Sequence, residues 1–282
     1  MLHSPAFAAS LGAKPSISAA LPSIGSDIWV FDTSTLSAFF TDLAASAPVS
    51  ASGQAVARVN NLLGGLPYLG QAASSARPTI IYNQAAGRAA LRFTSLVGGA
   101  LQFLSVLNGG ATPGDLFKSR AFTALLVVRP TNIDGFHGLF AAGNGNGGQN
   151  NTGFDMLTME LSAGLPRLSR NSGSDVAAYR VPSGIDTSSK LLKIVMRAAP
   201  GQGSEIRMKC AGQSALTVGP LPLYDDSYPW DTALLGAKLG VGGVSPPLNS
   251  FAGDMFEFRF WGARATDVQA AQLQGYADLK WG

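Results

Sequence analysis

Carboxamide side chains are concentrated in the segment GNGNGGQNNTG, over residues 143–153, between two strand-like runs. Carboxamides donate and accept hydrogen bonds, as sugar hydroxyls do, so this segment is a candidate sugar-binding loop. Asn and Gly also adopt the positive φ angles of a hairpin tip, so a purely structural turn is the alternative. The candidate residues are Asn144, Asn146, Gln149, Asn150 and Asn151.

A second candidate is LYDDSYPWDT, over residues 223–232, which the proline and aspartates predict to be a loop. Aromatic faces stack on the apolar face of a pyranose while acids bind its hydroxyls, so a sugar site is one interpretation. An aromatic loop packed on the domain or on a neighbouring subunit is the other. The candidate residues are Tyr224, Asp225, Asp226, Tyr228 and Trp230.

No cofactor is expected, and calcium is the one metal that the sequence leaves open. Asp225, Asp226 and Asp231 offer oxygen ligands close together, although an ordinary polar loop is favoured. A further segment predicted to be a loop, residues 167–180, adds Arg170, Asn171 and Tyr179, and the sequence does not tell whether these three side chains meet.

The sequence does not predict an enzyme. Glycosidases use paired carboxylates, and in GDMFEF the odd spacing of Asp254 and Glu257 predicts opposite faces of a strand, with Asp254 at the strand start and Glu257 on a solvent face. The chain has only two histidines, His3 and His137, and His137 in GFHG is expected on the surface, at a turn or strand edge. No catalytic triad is therefore expected.

Composition narrows the kind of partner. Only 13% of the 282 residues are charged, and the net charge of +3 comes from basic residues scattered singly, so nucleic-acid binding is not expected. No apolar run is long enough for a membrane helix, so membrane insertion is not expected either. The single Cys210 is predicted to be a packed strand residue.

Short apolar or alternating runs separated by Gly, Pro and Asn predict many β-strands in a sandwich. In residues 253–262 the alternation predicts Phe256, Phe258 and Phe260 on one face of a half-buried strand. Residues 41–47 and 266–281 are predicted helices; the second has Thr266 and Asp267 at its start. The predicted strands are 79–82, 89–93, 122–130, 138–143, 154–161, 191–198, 204–212 and 253–262. The apolar spacing of the second helix consists of Val268, Leu273, Tyr276 and Leu279.

Residues 1–26 are rich in Ala, Ser and Pro and predict an extended arm that attaches to a partner subunit, followed by one domain over residues 27–282. The arm's apolar residues, which it cannot bury by itself, are Leu2, Phe7, Leu11, Ile17 and Leu21.

Several segments, in this order, resemble the concanavalin A-like lectin/glucanase superfamily, and more closely the laminin-G-like jelly-roll domains of bacteriophage virion and bacterial surface proteins. They are IWVFDTSTLSAFFTD (28–42), SGQAVARVNNLLGG (52–65), ARPTII (76–81), GRAALRF (87–93), FTALLVVRP (122–130) and FAGDMFEFRFWGARATDVQAAQLQGYADLKWG (251–282). The chain departs from the family at RVNNLLGGLPYLGQ, where a tryptophan and a Ser-Gly-Asn-Gly loop often stand.

The resemblance implies an all-β antiparallel sandwich of jelly-roll topology with a short C-terminal helix. It also implies a structural role for Tyr276 and Trp281, which would pack near the first strand, in the region of Trp29 and Phe31. The function implied is that of a non-enzymatic virion protein assembled in the host cytoplasm, with other virion proteins, further copies of itself and host surface polysaccharide as partners. A secreted or cell-surface lectin-like adhesion domain of bacteria is the alternative.

Overall fold

The computed structural model describes residues 20–25, 27–64, 67–94, 101–107, 121–143, 156–172, 175–180, 185–221, 232–237 and 249–282. They contain seventeen strands and one α-helix, α1 (Asp267–Trp281). The strands are β1 (Asp27–Asp32), β2 (Phe39–Phe40), β3 (Arg58–Val59), β4 (Tyr68–Gly70), β5 (Thr79–Ile81), β6 (Ala90–Phe93), β7 (Leu104–Leu107), β8 (Phe122–Pro130), β9 (Phe136–Gly143), β10 (Met156–Ser162), β11 (Leu165–Ser172), β12 (Asp175–Arg180), β13 (Leu192–Ala199), β14 (Gly203–Cys210), β15 (Leu216–Leu221), β16 (Thr232–Leu235) and β17 (Gly253–Trp261).

The strands form two antiparallel sheets. Sheet 1 has the order β15-β14-β13-β8-β17-β6-β5, with β1 also paired to β17, and sheet 2 has the order β12-β11-β10-β9-β16-β7-β4-β3-β2. Apolar side chains from both sheets, among them Leu126, Phe140 and Phe258, form one buried core. The protein is therefore the antiparallel β-sandwich that the sequence predicts, with a C-terminal helix.

Strand β17 contains a β-bulge that changes which side chains face the core. Its pairing with β8 shifts between Met255 and Glu257, so one extra residue, Phe256, interrupts the alternation. Phe256 therefore lies on the outer face of sheet 1, whereas Phe258 and Phe260 lie in the core between the sheets. The prediction of three phenylalanines on one half-buried face is wrong, because β17 is covered on both sides.

Helix α1 confirms the predicted second helix. Thr266 caps it: its side chain accepts a hydrogen bond from the Gln269 backbone, and Gln269 Oε1 accepts one from the Thr266 backbone at 2.8 Å. The predicted apolar stripe is only partly correct, because Val268 and Leu279 are 68% and 58% exposed. The stripe that is buried consists of Ala270, Leu273, Gln274, Ala277 and Trp281, at helical spacing.

The other predicted helix, residues 41–47, does not form; this segment consists of turns. Asp42 accepts hydrogen bonds from the backbone and hydroxyl of Ser46, and Ala45 has a positive φ of 58°, so the side chain stabilises a turn instead. The described ranges also contain three short 3₁₀ helices, at Leu36–Ala38, Ser74–Ala76 and Ala85–Gly87.

The helix packs on the outer face of sheet 1 and forms a second apolar cluster there. Phe256 and Trp281 are in contact in this cluster, with ring centroids 5.4 Å apart. The last arm residues also belong to it: Ile24 is buried, Leu21 packs against the cluster, and Ser23 O accepts a hydrogen bond from Gln269 Nε2 at 2.5 Å. The end of the arm, from Leu21 to Ile24, therefore packs on this domain itself, while residues 1–19 lie outside the described part.

Candidate functional site

Asp254 and Glu257 lie on the same, outer face of sheet 1, contrary to the prediction from their spacing. The bulge at Phe256 brings both carboxylates to the side that α1 covers, and both are fully buried. The predictions that they lie on opposite faces, and that Glu257 faces solvent, are therefore wrong. The spacing rule fails because it assumes an uninterrupted period of two.

Glu257 is the centre of a hydrogen-bond network between the sheet and the helix. Its Oε1 accepts from Tyr276 OH at 2.8 Å and from Arg259 Nε at 2.5 Å, and its Oε2 accepts from Trp281 Nε1 at 2.7 Å and from Lys280 Nζ at 3.1 Å. Burial raises the pKa of Tyr276, and the Glu257 charge raises it further. Because four donors satisfy the carboxylate, it is a structural anchor and has no free position for a substrate.

Two further ion-pair groups fix the helix along β13 and β14. Near its start, Asp267 pairs with Arg197, a buried side chain that also binds Glu205 through two hydrogen bonds, 3.1 and 2.6 Å long. Near its end, Asp278 accepts from Lys193 at 2.9 Å and from Lys209 at 2.5 Å. Charges on this face therefore bind the helix to the sheet.

The outer face of sheet 2 has a different polar group, which we call the Phe136 platform: Phe136, Glu160 and Arg167. In the backbone register, Gly138, Glu160, Arg167 and Arg180 form one row across β9, β10, β11 and β12. Arg167 Nη1 donates to Glu160 Oε1 at 2.7 Å, and its guanidinium lies 5.2 Å from the centroid of the Phe136 ring. Phe136 is 47% exposed, and it is the one exposed aromatic residue among those described.

The platform combines the groups that a neutral sugar requires. An exposed ring offers an apolar face for stacking, and the partly exposed Arg167 offers further N–H donors. Thr158, two residues before Glu160 on the same face of β10, is fully buried, and its Oγ1 has no hydrogen-bond partner within the described ranges.

Two segments contain the predicted sugar-binding residues: the Asn-rich segment 143–153 and the aromatic segment 223–232. All of these candidate residues lie outside the described residues and stay predictions. These are Asn144, Asn146, Gln149, Asn150 and Asn151, and Tyr224, Asp225, Asp226, Tyr228 and Trp230, together with the calcium candidate Asp231. The strands that flank the first loop, β9 and β10, are paired antiparallel, with Gly143 opposite Met156.

The segment 167–180, predicted to be a loop, is instead a hairpin of β11 and β12. Arg170 and Asn171 are in β11, where their backbones pair with Ala177 and Val176, and Tyr179 is in β12 opposite Leu168. Two of the three serines that suggest a loop, Ser169 and Ser172, are therefore part of β11 itself.

His137 and Cys210 are both buried strand residues. His137 lies in β9 with Nδ1 3.2 Å from Ser250 O, so the prediction of a surface histidine is wrong. Cys210 ends β14 in the core, as predicted, and burial raises the pKa of its thiol.

Within the described ranges, no three His, Cys, Asp or Glu side chains converge as a metal site, and no helix is long and apolar enough to span a membrane.

The four aromatic residues predicted to join the chain ends are all buried, but in two separate clusters. Trp29 and Phe31 point from β1 into the core between the sheets, whereas Tyr276 and Trp281 lie on the outer face of sheet 1. The helix is linked to β1 through Lys280, which donates to the Asp32 carboxylate. The first strand and the helix are thus adjacent, with polar rather than aromatic contact between them.

The sequence interpretation missed the Phe136 platform because GFHG looks like a turn. Its signal was nevertheless present in the alternation of FDMLTMEL, where Thr158 and Glu160 fall on one face and Leu157, Met159 and Leu161 on the other. A charged residue in the centre of an otherwise apolar strand marks a face with a partner, which here is Arg167.

No protein-family model and no curated protein matches the sequence. Solved structures match in fold. A mutant GH54 α-L-arabinofuranosidase soaked with 4-nitrophenyl α-L-arabinofuranoside matches with a TM-score of 0.50 and 14% identity, over 79% of this chain and 50% of that one. The CBM40 module of the Ruminococcus gnavus IT-sialidase matches with a TM-score of 0.46 and 13% identity, over 59% of this chain and 92% of the module. A mutant NanB sialidase from Streptococcus pneumoniae has a TM-score of 0.45 and 10% identity, over 64% of this chain and 27% of that one.

These similarities concern the fold alone. The arabinofuranosidase match extends over most of this chain, while the chain spans half of that enzyme's length. At such identities no residue of this chain acquires a role from a residue of those proteins.

Proposed function

We propose that this protein is a non-enzymatic, carbohydrate-binding structural component of a phage-like particle. The Phe136 platform, or a surface continuous with it, contacts host surface polysaccharide. Residues 1–19 attach the protein to other virion proteins, and several copies assemble on the particle. Capsid decoration, head fibre and tail fibre are the positions that such a component occupies.

The exposed Phe136 ring beside the Glu160–Arg167 pair is the observation that carries the sugar-binding part of this proposal. Proteins bind hydroxyl-rich ligands with such a combination of an apolar ring and charged hydrogen-bonding groups. The non-enzymatic part is supported by the buried carboxylates Asp254 and Glu257, whose oxygens are committed to protein donors. The virion location is supported by the sequence resemblance and the arm.

The test is binding of the purified chain to host surface polysaccharide, measured by calorimetry. We expect Phe136→Ala to weaken binding by up to about tenfold, the worth of one aromatic contact. Leu63→Ala is the matched control, because Leu63 is also about half exposed, at 49%, and follows β3, which three strands separate from β9 in sheet 2.

Trp230→Ala tests the loop candidate in parallel. Loss of binding in this variant with Phe136→Ala unaffected would move the site to the aromatic segment at residues 223–232. No binding by the wild-type chain would overturn the sugar-binding proposal.

The location is tested separately, by detecting the protein in purified particles and in the cell envelope of the producing culture. Enrichment in particles supports a virion component. Enrichment in the envelope would favour the alternative, a bacterial cell-surface or secreted adhesion domain.

A further inference from the structure

Two arginines on the outer face of sheet 1 share one buried carboxylate. Arg92 Nε and Arg129 Nη2 donate to Asp254 at 2.7 and 2.5 Å, and Asp254 is fully buried between them. The arginine side chains remain 34% and 25% exposed. Because two guanidinium groups face one carboxylate, this group carries one positive charge in excess.

The two guanidinium groups are held in place by a common acceptor. Gln84 Oε1 accepts from Arg129 Nη2 at 2.6 Å and from Arg92 Nη2 at 3.5 Å, and Gln84 Nε2 is itself fixed on Tyr82 O at 2.8 Å. In the described part of the chain, neither Arg92 Nη1 nor Arg129 Nη1 has a hydrogen-bond acceptor. Two preorganised donors are thus unused at a partly exposed, positively charged surface.

We propose that Arg92 and Arg129 bind the carboxylate of a uronate residue in an acidic polysaccharide. The single excess charge matches a monoanion, and a planar carboxylate offers two oxygens to the two Nη1 donors. The neighbouring turn presents Asn83, Ala86 and Gly87, which are exposed and small or polar. Such small or polar residues suit a hydroxyl-rich ligand.

This site is separate from the Phe136 platform, because the two lie on opposite outer faces of the sandwich. The test is titration of the full chain with an oligogalacturonate and with a neutral galactose oligosaccharide of equal length. Arg92→Lys keeps a positive charge opposite Asp254 but removes the planar fork. We expect it to weaken oligogalacturonate binding about tenfold, the worth of one charged hydrogen bond, and added salt to weaken wild-type binding.

Arg88→Lys is the matched control. Arg88 lies beside the same turn, but its guanidinium stacks 5.2 Å from the Trp281 ring centroid, so we expect unchanged binding. Equal melting temperatures establish that the variants are folded, and Arg129→Lys, with the same expected loss, replaces Arg92→Lys if the latter is unstable.

Three results would overturn the proposal: equal binding of the acidic and neutral oligosaccharides, unchanged binding by both arginine variants, or equally strong competition by a polyglutamate peptide. Phe136→Ala separates the two sites. If it leaves oligogalacturonate binding intact while Arg92→Lys lowers it, the arginine site stands regardless of the platform.

Discussion

The outer face of sheet 1 is covered by a helix, whereas among the described residues no helix packs on the outer face of sheet 2. On sheet 1, charges such as Glu257 and Arg197 are buried and paired across to the helix. On sheet 2, Glu160 pairs with Arg167 on a neighbouring strand, and Phe136 beside them is exposed. The same kinds of side chain therefore hold two layers together on one face, whereas on the other they pair within the sheet beside an exposed ring.

The comparison shows that a charged residue in a strand does not by itself reveal its role. Glu257 has four donors and Glu160 has an arginine, and both are fully buried. The difference lies in the neighbouring aromatic ring, which is the buried Trp281 of the helix in one case and the exposed Phe136 in the other. Substitutions on the covered face, the outer face of sheet 1 beneath α1, should therefore lower stability. Substitutions at the Phe136 platform on the outer face of sheet 2, here called the open face, should lower binding.

The largest expected effect is that of Trp281→Ala. This substitution removes a buried ring and one donor to Glu257, so we expect the free energy of unfolding to fall by about 3 to 5 kcal/mol. Chemical denaturation measures it. Leu279→Ala, on the exposed side of α1, is the control and should change stability by less than about 0.5 kcal/mol. A loss below about 1 kcal/mol for Trp281→Ala would contradict the close packing of the helix.

Breaking the buried ion pair at the start of α1 is next in size. Arg197→Met leaves Glu205 buried with Arg207 as its remaining partner, and we expect a loss of about 3 kcal/mol. The double variant with Glu205→Leu also removes the buried carboxylate that has lost Arg197, and should recover at least half of this loss. If the double variant is as unstable as the single one, the destabilisation comes from lost packing and not from the buried charge.

The acid sensitivity of the helix is a smaller effect. Burial tends to raise the pKa of Asp278, but hydrogen bonds from Lys209 and Lys193 outweigh it and lower the pKa below its ordinary value. Asp32 shows the same balance, because Lys280 outweighs the effect of burial and lowers the pKa of Asp32. Groups with a lowered native pKa stabilise the fold above their unfolded pKa, and this stability is lost as the pH falls below about 4.

Asp278→Asn should remove part of this pH dependence. Because Asp278 is partly exposed, we expect it to contribute about 1 kcal/mol or less. Unfolding curves at pH 7 and pH 3 test this, with Asp134→Asn as a control on an exposed aspartate. The same difference between the two pH values in wild type and Asp278→Asn would show that the lysine pair does not stabilise the helix.

The smallest effect on stability is expected on the open face. Phe136→Ala should change the free energy of unfolding by less than about 0.5 kcal/mol, because the ring is half exposed. Phe256→Ala, the same change on the covered face, should cost about 3 to 5 kcal/mol. Thermal unfolding of the pair measures this contrast, and equal losses would mean that the platform is a packed surface.

The local pattern of apolar residues predicts the positions of the strands well, but it predicts less well which side chains face the core. Residues 122–130 form a strand with the predicted bounds, because a continuous apolar run flanked by polar residues has few alternatives. The face of Phe256 was not predictable, because the extra residue of a bulge is set by the partner strand β8 and leaves the local alternation unchanged. Likewise, Val268 and Leu279 have helical spacing, but the sheet underneath decides which face of α1 is buried.

The candidate site was the least predictable part. Loop composition directs attention to Asn, Tyr and Trp, whereas the platform is formed across three strands, by Phe136, Glu160 and Arg167, which are up to 31 residues apart in the sequence. Their proximity depends on the register of β9, β10 and β11. No single sequence window contains this register, although the isolated Glu160 between buried apolar neighbours was a usable signal.

The three described tryptophans are divided between the two packed layers. Trp29 lies in the core between the sheets, whereas Trp261 and Trp281 lie in the cluster between the helix and sheet 1, where Trp281 is the last residue of α1. The emission of Trp29 therefore reports on the separation of the sheets, and that of Trp281 on the release of the helix. With selective Trp→Phe replacements, fluorescence can record whether the helix detaches before the sandwich opens, which gives each layer its own optical signal.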